Sequence, residues 1–337
     1  MALTVSREQI LAFRRRVGGL DERLPAGRES LRTAAWAGIQ DSMPRAAVMS
    51  IHARVEGAGP TAWDDPTLVQ VWGPRYQVYV VAAPDLAVFT LSRLPDAGKI
   101  RDRALDLAER VHAVLGGERM RYGEAGQRLG VHGNMLRYAA LTGTLAIRWE
   151  GARAPLVWTV PPPEITPAEA TRDLARRYLR VFGPAVPESF AKWAGIGVRE
   201  AVRAFEELDA ELISVATPCG DARLLLRDEA AIREAPTGAA PARLLPSGDA
   251  YTLHWGTADR SLLVPDAAHQ GELWTPRVWP GAVLVAGEIV GTWRRAQRRM
   301  TIQAWKPLSR AARDAVVAEA ESLPLPDPGE GMRVDWT

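Results

Sequence analysis

Cysteine is nearly absent from this 337-residue chain. Cys219 stands alone, which excludes an internal disulfide, a four-cysteine zinc site and an iron–sulfur cluster. Lysine is almost as scarce: Lys99, Lys192 and Lys306 are the only three among 42 basic residues, so Schiff-base chemistry has few candidates. The five histidines (His52, His112, His132, His254 and His269) include no close pair at metal-ligand spacing. No apolar run approaches the ~20 residues that span a bilayer, and the first residues lack the basic, apolar and small-residue plan of a signal peptide. A cytoplasmic protein with no metal, no cofactor and no membrane partner is expected. Net charge is only +2, so any nucleic-acid surface has to be a local patch. With 47% hydrophobic and 24% charged residues, the chain is neither disordered nor fibrous. Its length suggests two or three domains.

What is present is a repeated signal. Ala34-Ala35-Trp36-Ala37-Gly38-Ile39, Gly126-Gln127-Arg128-Leu129-Gly130-Val131 and Ala191-Lys192-Trp193-Ala194-Gly195-Ile196 share one plan. Each has a small residue, two variable ones, an apolar one, a glycine and an aliphatic. This is the core of a helix-turn-helix: glycine takes the left-handed conformation that ends the first helix, and the aliphatic plugs the angle. Strand-like runs follow each unit, at 68–72 and 77–82, at 144–149 and 156–160, and at 212–217 and 223–226. A helix is expected over 43–55 in the first unit, over 132–141 in the second and over 198–208 in the third. Pro161-Pro162-Pro163 and the segment 235–241 read as linkers, and Thr166-Pro167-Ala168-Glu169 as a capping box. From 242 to 305 the pattern changes to short apolar strands with tryptophans, and a last helix is expected over 309–322. The expected fold is α+β, with three tandem winged helix-turn-helix units (1–98, 99–163 and 164–240) and a C-terminal small β-barrel or sheet (241–337).

Charge is unevenly spread. Arg294, Arg295, Arg298, Arg299, Lys306 and Arg310 give 291–310 a local +6 with no acidic residue, while 311–337 carries a local −4. The run 294–299 lies between two strands and reads as a hairpin tip, either meeting phosphates or serving as a solvated turn. Arg128, His132, Asn134 and Arg137 in the second unit, and Arg199 and Arg203 in the third, are DNA-contact candidates by their helix-turn-helix setting. Arg45 and Arg75 complete the set.

The first unit continues as Gly38-Ile39-Gln40-Asp41-Ser42-Met43-Pro44-Arg45. Together with Trp72-Gly73-Pro74-Arg75, Leu174-Ala175-Arg176-Arg177-Tyr178-Leu179, Phe182-Gly183-Pro184-Ala185, Leu244-Leu245-Pro246 and Gly291-Thr292-Trp293-Arg294, this resembles the AlkZ/YcaQ family of DNA glycosylases. That family is built from tandem winged helices and a β-barrel, and its catalytic signature is glutamine, any residue, then glutamine or aspartate. Gln40 matches the first position, Asp41 is the intervening residue, and Ser42 replaces the second amide or carboxylate. The resemblance implies a monofunctional glycosylase that removes bulky or crosslinking alkylpurines, notably N7-guanine adducts, from double-stranded DNA. It also implies protection of a producer from its own genotoxic product. A monomer is expected. Gln40 would orient the water, Asp41 act as base and counter-charge, and Ser42 share the water. Alternatively Asp41 or Ser42 caps the following helix, with Pro44 in its first turn. A non-catalytic DNA-binding protein is the second reading. A sequence-specific regulator is weaker, since no dimerisation helix is visible.

Overall fold

The computed structural model describes residues 3–43, 46–151, 153–234, 240–254, 257–325 and 331–337. The expected Arg45, Pro44 and most of the 235–241 linker lie outside these residues. The strands are β1 (Leu3–Thr4), β2 (Ile39–Gln40), β3 (Leu68–Trp72), β4 (Val78–Ala82), β5 (Met120–Arg121), β6 (Leu145–Arg148), β7 (Leu156–Thr159), β8 (Leu212–Thr217), β9 (Gly220–Leu225), β10 (Arg243–Leu245), β11 (Gly281–Val285), β12 (Glu288–Ala296), β13 (Arg299–Ala304) and β14 (Arg333–Trp336). They form three sheets, ordered β1-β8-β9, β2-β4-β3-β6-β7-β5 and β10-β11-β12-β13-β14.

The clearest helix-turn-helix is the third. Thr166 and Glu169 form the capping box that starts helix Pro167–Phe182. Its apolar face carries Leu174, Tyr178, Leu179 and Phe182 into the largest core, against Phe190, Trp193 and Phe205. Tyr178 stacks on Phe182 with ring centroids 4.8 Å apart. Helix Pro187–Ala194 ends at Gly195 in the left-handed region, and helix Val198–Glu207 follows. The hairpin β8–β9 closes the unit, with Leu212 opposite Leu225 and Thr217 opposite Gly220. Strand β1 adds to it in parallel, Leu3 opposite Val215.

In the second unit, helix Tyr122–Leu129 ends at left-handed Gly130. A Cβ on Gly126 would come 2.7 Å from the Gly133 nitrogen, so only glycine permits this tight step. The expected helix over 132–141 is a chain of short turns around helix Leu136–Ala139. The hairpin β6–β7 follows, and a single pairing of Gln70 with Ile147 joins it to β3. The strands of the first and second units are thereby one six-stranded sheet rather than two separate wings.

The first unit departs most from expectation. After Gly38 (φ 73°) the chain enters β2, pairing Ile39 with Val80 and Gln40 with Tyr79. Of the helix expected over 43–55, the described residues show Ala46–His52.

Of the barrel or sheet expected at the C-terminus, the strands form the open sheet; no barrel closes among the described residues. Strand β14 pairs in parallel with β13 at one edge, and β10 is the other edge. Closure is unnecessary because both faces are covered. Along β11, Val283 faces Val316 and Ala320 of helix Arg310–Glu321, while Ala282 and Leu284 face Leu11, Leu20 and Leu273. Period-two alternation thus feeds two cores, and neighbouring helices seal them. Among the described residues, no helix is long and apolar enough to cross a membrane.

Candidate active site

Strand alternation sets the orientation of the motif. Ile39 is buried beside Leu31 and Val80, which sends the next side chain, Gln40, to the opposite face. There Gln40 lines an open cavity of ≈ 550 Å³ between the first unit and the C-terminal lobe. Across from it stands Gly248 (φ 74°), where a Cβ would lie 3.0 Å from the Gln40 side-chain nitrogen. That wall is anchored by a buried ion pair. Both terminal guanidinium nitrogens of Arg54 donate to the Asp249 carboxylate at 2.7 Å, and the Ser50 hydroxyl donates to it at 2.6 Å.

The Gln40 amide oxygen accepts from Arg75 Nη2 at 3.1 Å and from the Tyr79 hydroxyl at 3.4 Å. Arg75 also donates to the Tyr79 hydroxyl at 3.1 Å and to the Trp193 carbonyl. Burial raises the Tyr79 hydroxyl's pKa, so it is a neutral donor. Arg75 and Tyr76 both have positive φ, 55° and 59°, which is uncommon for consecutive non-glycine residues. Packing holds this turn. Arg93 lies 3.7 Å over the Tyr76 ring and donates to the Gly73 carbonyl at 3.0 Å. On the other side, a Cβ on Gly195 would stand 3.1 Å from the Arg75 nitrogen.

Asp41 is placed differently. It is buried (6% exposed) and does not line the cavity. One carboxylate oxygen accepts from the Ala47 N–H at 3.0 Å, at the start of helix Ala46–His52. The other accepts from the Gln70 amide at 2.7 Å. Gln70 in turn accepts from the Trp149 N–H at 2.6 Å, so Asp41 clamps helix, sheet and second unit together. Ser42 lines the cavity, and its buried hydroxyl has no hydrogen-bond partner among the described residues.

A family model described as DNA glycosylase AlkZ-like matches residues 33–324. The chain belongs to this family. The interstrand DNA cross-link repair glycosylase of Streptomyces sahachiroi is 27% identical over 158 residues. That segment is 46% of this chain and 42% of the relative, so the match spans less than half of that protein. The solved structure of the Streptomyces sahachiroi DNA glycosylase AlkZ has a TM-score of 0.81, with 99% of this chain and 100% of that one covered at 19% identity. This is a likeness of fold.

In this AlkZ-like chain the proposed DNA contacts are scattered. Arg294 and Arg295 line a smaller neighbouring cavity, on a hairpin whose two-residue tip is Gln297-Arg298. Arg299 is paired with Asp335 at 2.5 Å. Arg128 is exposed and paired with Glu124, and exposed His132 accepts from the Asn134 N–H. Arg137 donates to the Asn134 carbonyl. Arg199 is exposed, and Arg203 pairs with Asp96.

Sequence reasoning missed the far wall of the cavity. Arg260 sits between Trp274 and Trp279, 4.9 and 5.8 Å from their ring centroids, and donates to the His254 carbonyl at 3.0 Å. Burial lowers its pKa from the ordinary guanidinium range. The density of tryptophan after residue 242 was the available signal. The cavity's ionised lining is Arg75, Arg260 and Arg277, with no carboxylate among the described residues.

Proposed function

We propose that the chain is a monofunctional DNA glycosylase that hydrolyses the bond between deoxyribose and a bulky alkylated purine, above all an N7-guanine adduct, in duplex DNA. The observation that carries this reading is the Gln40 amide, fixed by Arg75 and Tyr79 on the wall of an open cavity large enough for an extruded nucleotide. An N7-alkylguanine is already cationic, so the bond to C1′ breaks with its electron pair passing to the base, which leaves neutral. Water adds to the sugar cation and releases its proton to solvent. Gln40 cannot take that proton; it orients the water and the sugar by hydrogen bonds. Ser42, on the same wall, would share the water through its hydroxyl. Asp41 contributes its buried negative charge and holds β2 in place. Arg260 and Arg277 suit the phosphates flanking an extruded nucleotide, while Arg75 holds Gln40. The helix-turn-helix units and the 294–299 hairpin hold the duplex, and the self-protective role implied by the resemblance belongs to this reading.

A second reading, a DNA-binding protein without catalysis, is favoured by two observations. Both Asp41 oxygens are engaged structurally, and the cavity's ionised groups are all cationic. Incubation with duplexes carrying single N7-guanine adducts, from methyl to polycyclic, separates the two. Abasic sites are expected; their absence across the panel favours the second reading.

A further inference from the structure

Beside the Gln40 cavity lies a smaller one of ≈ 180 Å³. Met43, Ser247, Val278 and Trp279 line both, so the two are adjoining compartments with a shared partition. The smaller compartment is walled mainly by apolar groups, including Ala46, Met49, Pro246 and Trp293. Its ionised lining residues are Arg294 and Arg295, with no carboxylate among the described residues.

The walls are fixed in place. The Trp293 indole N–H donates to the Leu245 carbonyl at 2.9 Å, and a Cβ on Gly281 would come 2.2 Å from that indole. Arg294 donates to the Val278 carbonyl at 3.0 Å, tying the hairpin to the partition. On the partition itself, Met43 is 38% and Val278 46% exposed, so two apolar side chains stand uncovered between the compartments.

We propose that the smaller compartment is the subsite for an uncharged aromatic substituent on the alkylated purine, the purine itself occupying the Gln40 cavity. This rests on the glycosylase reading above for the identity of the lesion. The chemistry of the walls selects the occupant. Indole faces stack on flat rings, and methionine adapts to them through its polarizable sulfur. Two arginines at the edge disfavour a cationic substituent. A cavity of about 150 Å³ accepts a benzene ring, so this one holds one ring, and its open side leaves room for a second.

The test uses equilibrium binding, which does not depend on turnover. Duplexes carry a 2′-fluoroarabino sugar, which blocks departure of the base, bearing N7-methylguanine or N7-(naphthylmethyl)guanine. The full chain should bind the naphthylmethyl duplex at least about tenfold more tightly than the methyl duplex, from the apolar area buried. Ala46→Leu, which fills the compartment, should cut that preference to a third or less. Met43→Ala, at an exposed position where folding is not at stake, should lower it several-fold. A fall in either variant supports the subsite. No preference in the parent chain, or an undiminished one in both variants, overturns it. Excision from duplexes with ordinary deoxyribose reports separately on the glycosylase reading. Preference without abasic sites keeps the subsite and removes catalysis, whereas abasic sites without preference do the reverse.

Discussion

Residues 34–39 and 191–196 share a small residue, a central Trp-Ala-Gly and a closing isoleucine, yet they lead into different structures. After Gly195 the chain continues into helix Val198–Glu207; after Gly38 it becomes strand β2. Both glycines take positive φ, 71° and 73°, so the local turn is the same. The difference lies in what the chain meets next. Ile39 and Gln40 find the edge of β4, and a paired edge there outweighs the local preference for a second helix. The two copies then touch through one side chain, since Arg75 donates both to the Trp193 carbonyl of the third unit and to Gln40 of the first. The candidate site is therefore built where two similar sequences, folded differently, face each other.

The largest expected effect that breaks this comparison is Gly38→Ala. Its Cβ would stand 2.6 Å from the Phe89 ring and 2.9 Å from that of Tyr79. Overpacking and positive φ together should cost about 3 kcal/mol in denaturant unfolding. Gly195→Ala meets its neighbours only at 3.1 Å and should cost about 1–2 kcal/mol. Equal losses would mean that the two turns are equivalent after all.

Arg75→Met removes the link between the copies. Excision should fall about 10²-fold through misplacement of Gln40, in kcat rather than in DNA affinity, and Arg75→Lys should recover part of it. A fall in affinity alone would make Arg75 a phosphate contact.

Asp41→Asn sharpens the contrast between neighbours on β2. Asparagine still caps helix Ala46–His52. Its amide then opposes the Gln70 amide, which cannot turn over without giving up the Trp149 N–H. A loss of about 2 kcal/mol in stability is expected from the mismatched buried polar pair. Unchanged stability with lost excision would return Asp41 to the role of base.

The smallest effect lies behind the third copy. Burial, with Arg14 nearby, pushes the His254 imidazole down to about 3, and its ring packs edge-on against Phe182. The folded state holds this ring neutral while the unfolded chain protonates it near 6.5, so its stabilising contribution is complete above that pH and is lost as pH falls toward 3. Between about pH 7.5 and about pH 5.5 the loss should be ~1.4 kcal/mol. His254→Phe should show that much less acid sensitivity in thermal melts.

Much of this architecture was legible in local chemistry. The Thr166 capping box, the glycine stops at 130 and 195, the 212–225 hairpin and the arginine-bearing hairpin tip are all set by near neighbours in the chain. The rest depends on partners distant in sequence. Strand β1 is two residues long and carries no periodicity, yet it pairs with β8. One Gln70–Ile147 pairing fuses two hairpins into a single sheet. The C-terminal sheet stays open because a helix and the N-terminal region cover its faces. Within the motif, Gln40 and Ser42 share the cavity while Asp41 points away, as alternate residues of an extended chain must. Reading the segment as a turn between helices hid that alternation.

The central claim is that Gln40, held by Arg75 and Tyr79, carries the chemistry. Gln40→Ala, assayed on a duplex from which the parent chain releases an N7-guanine adduct, tests it most directly. Abasic-site formation should fall about 10²-fold or more, with melting temperature and DNA affinity unchanged; excision at the parent rate would contradict the account.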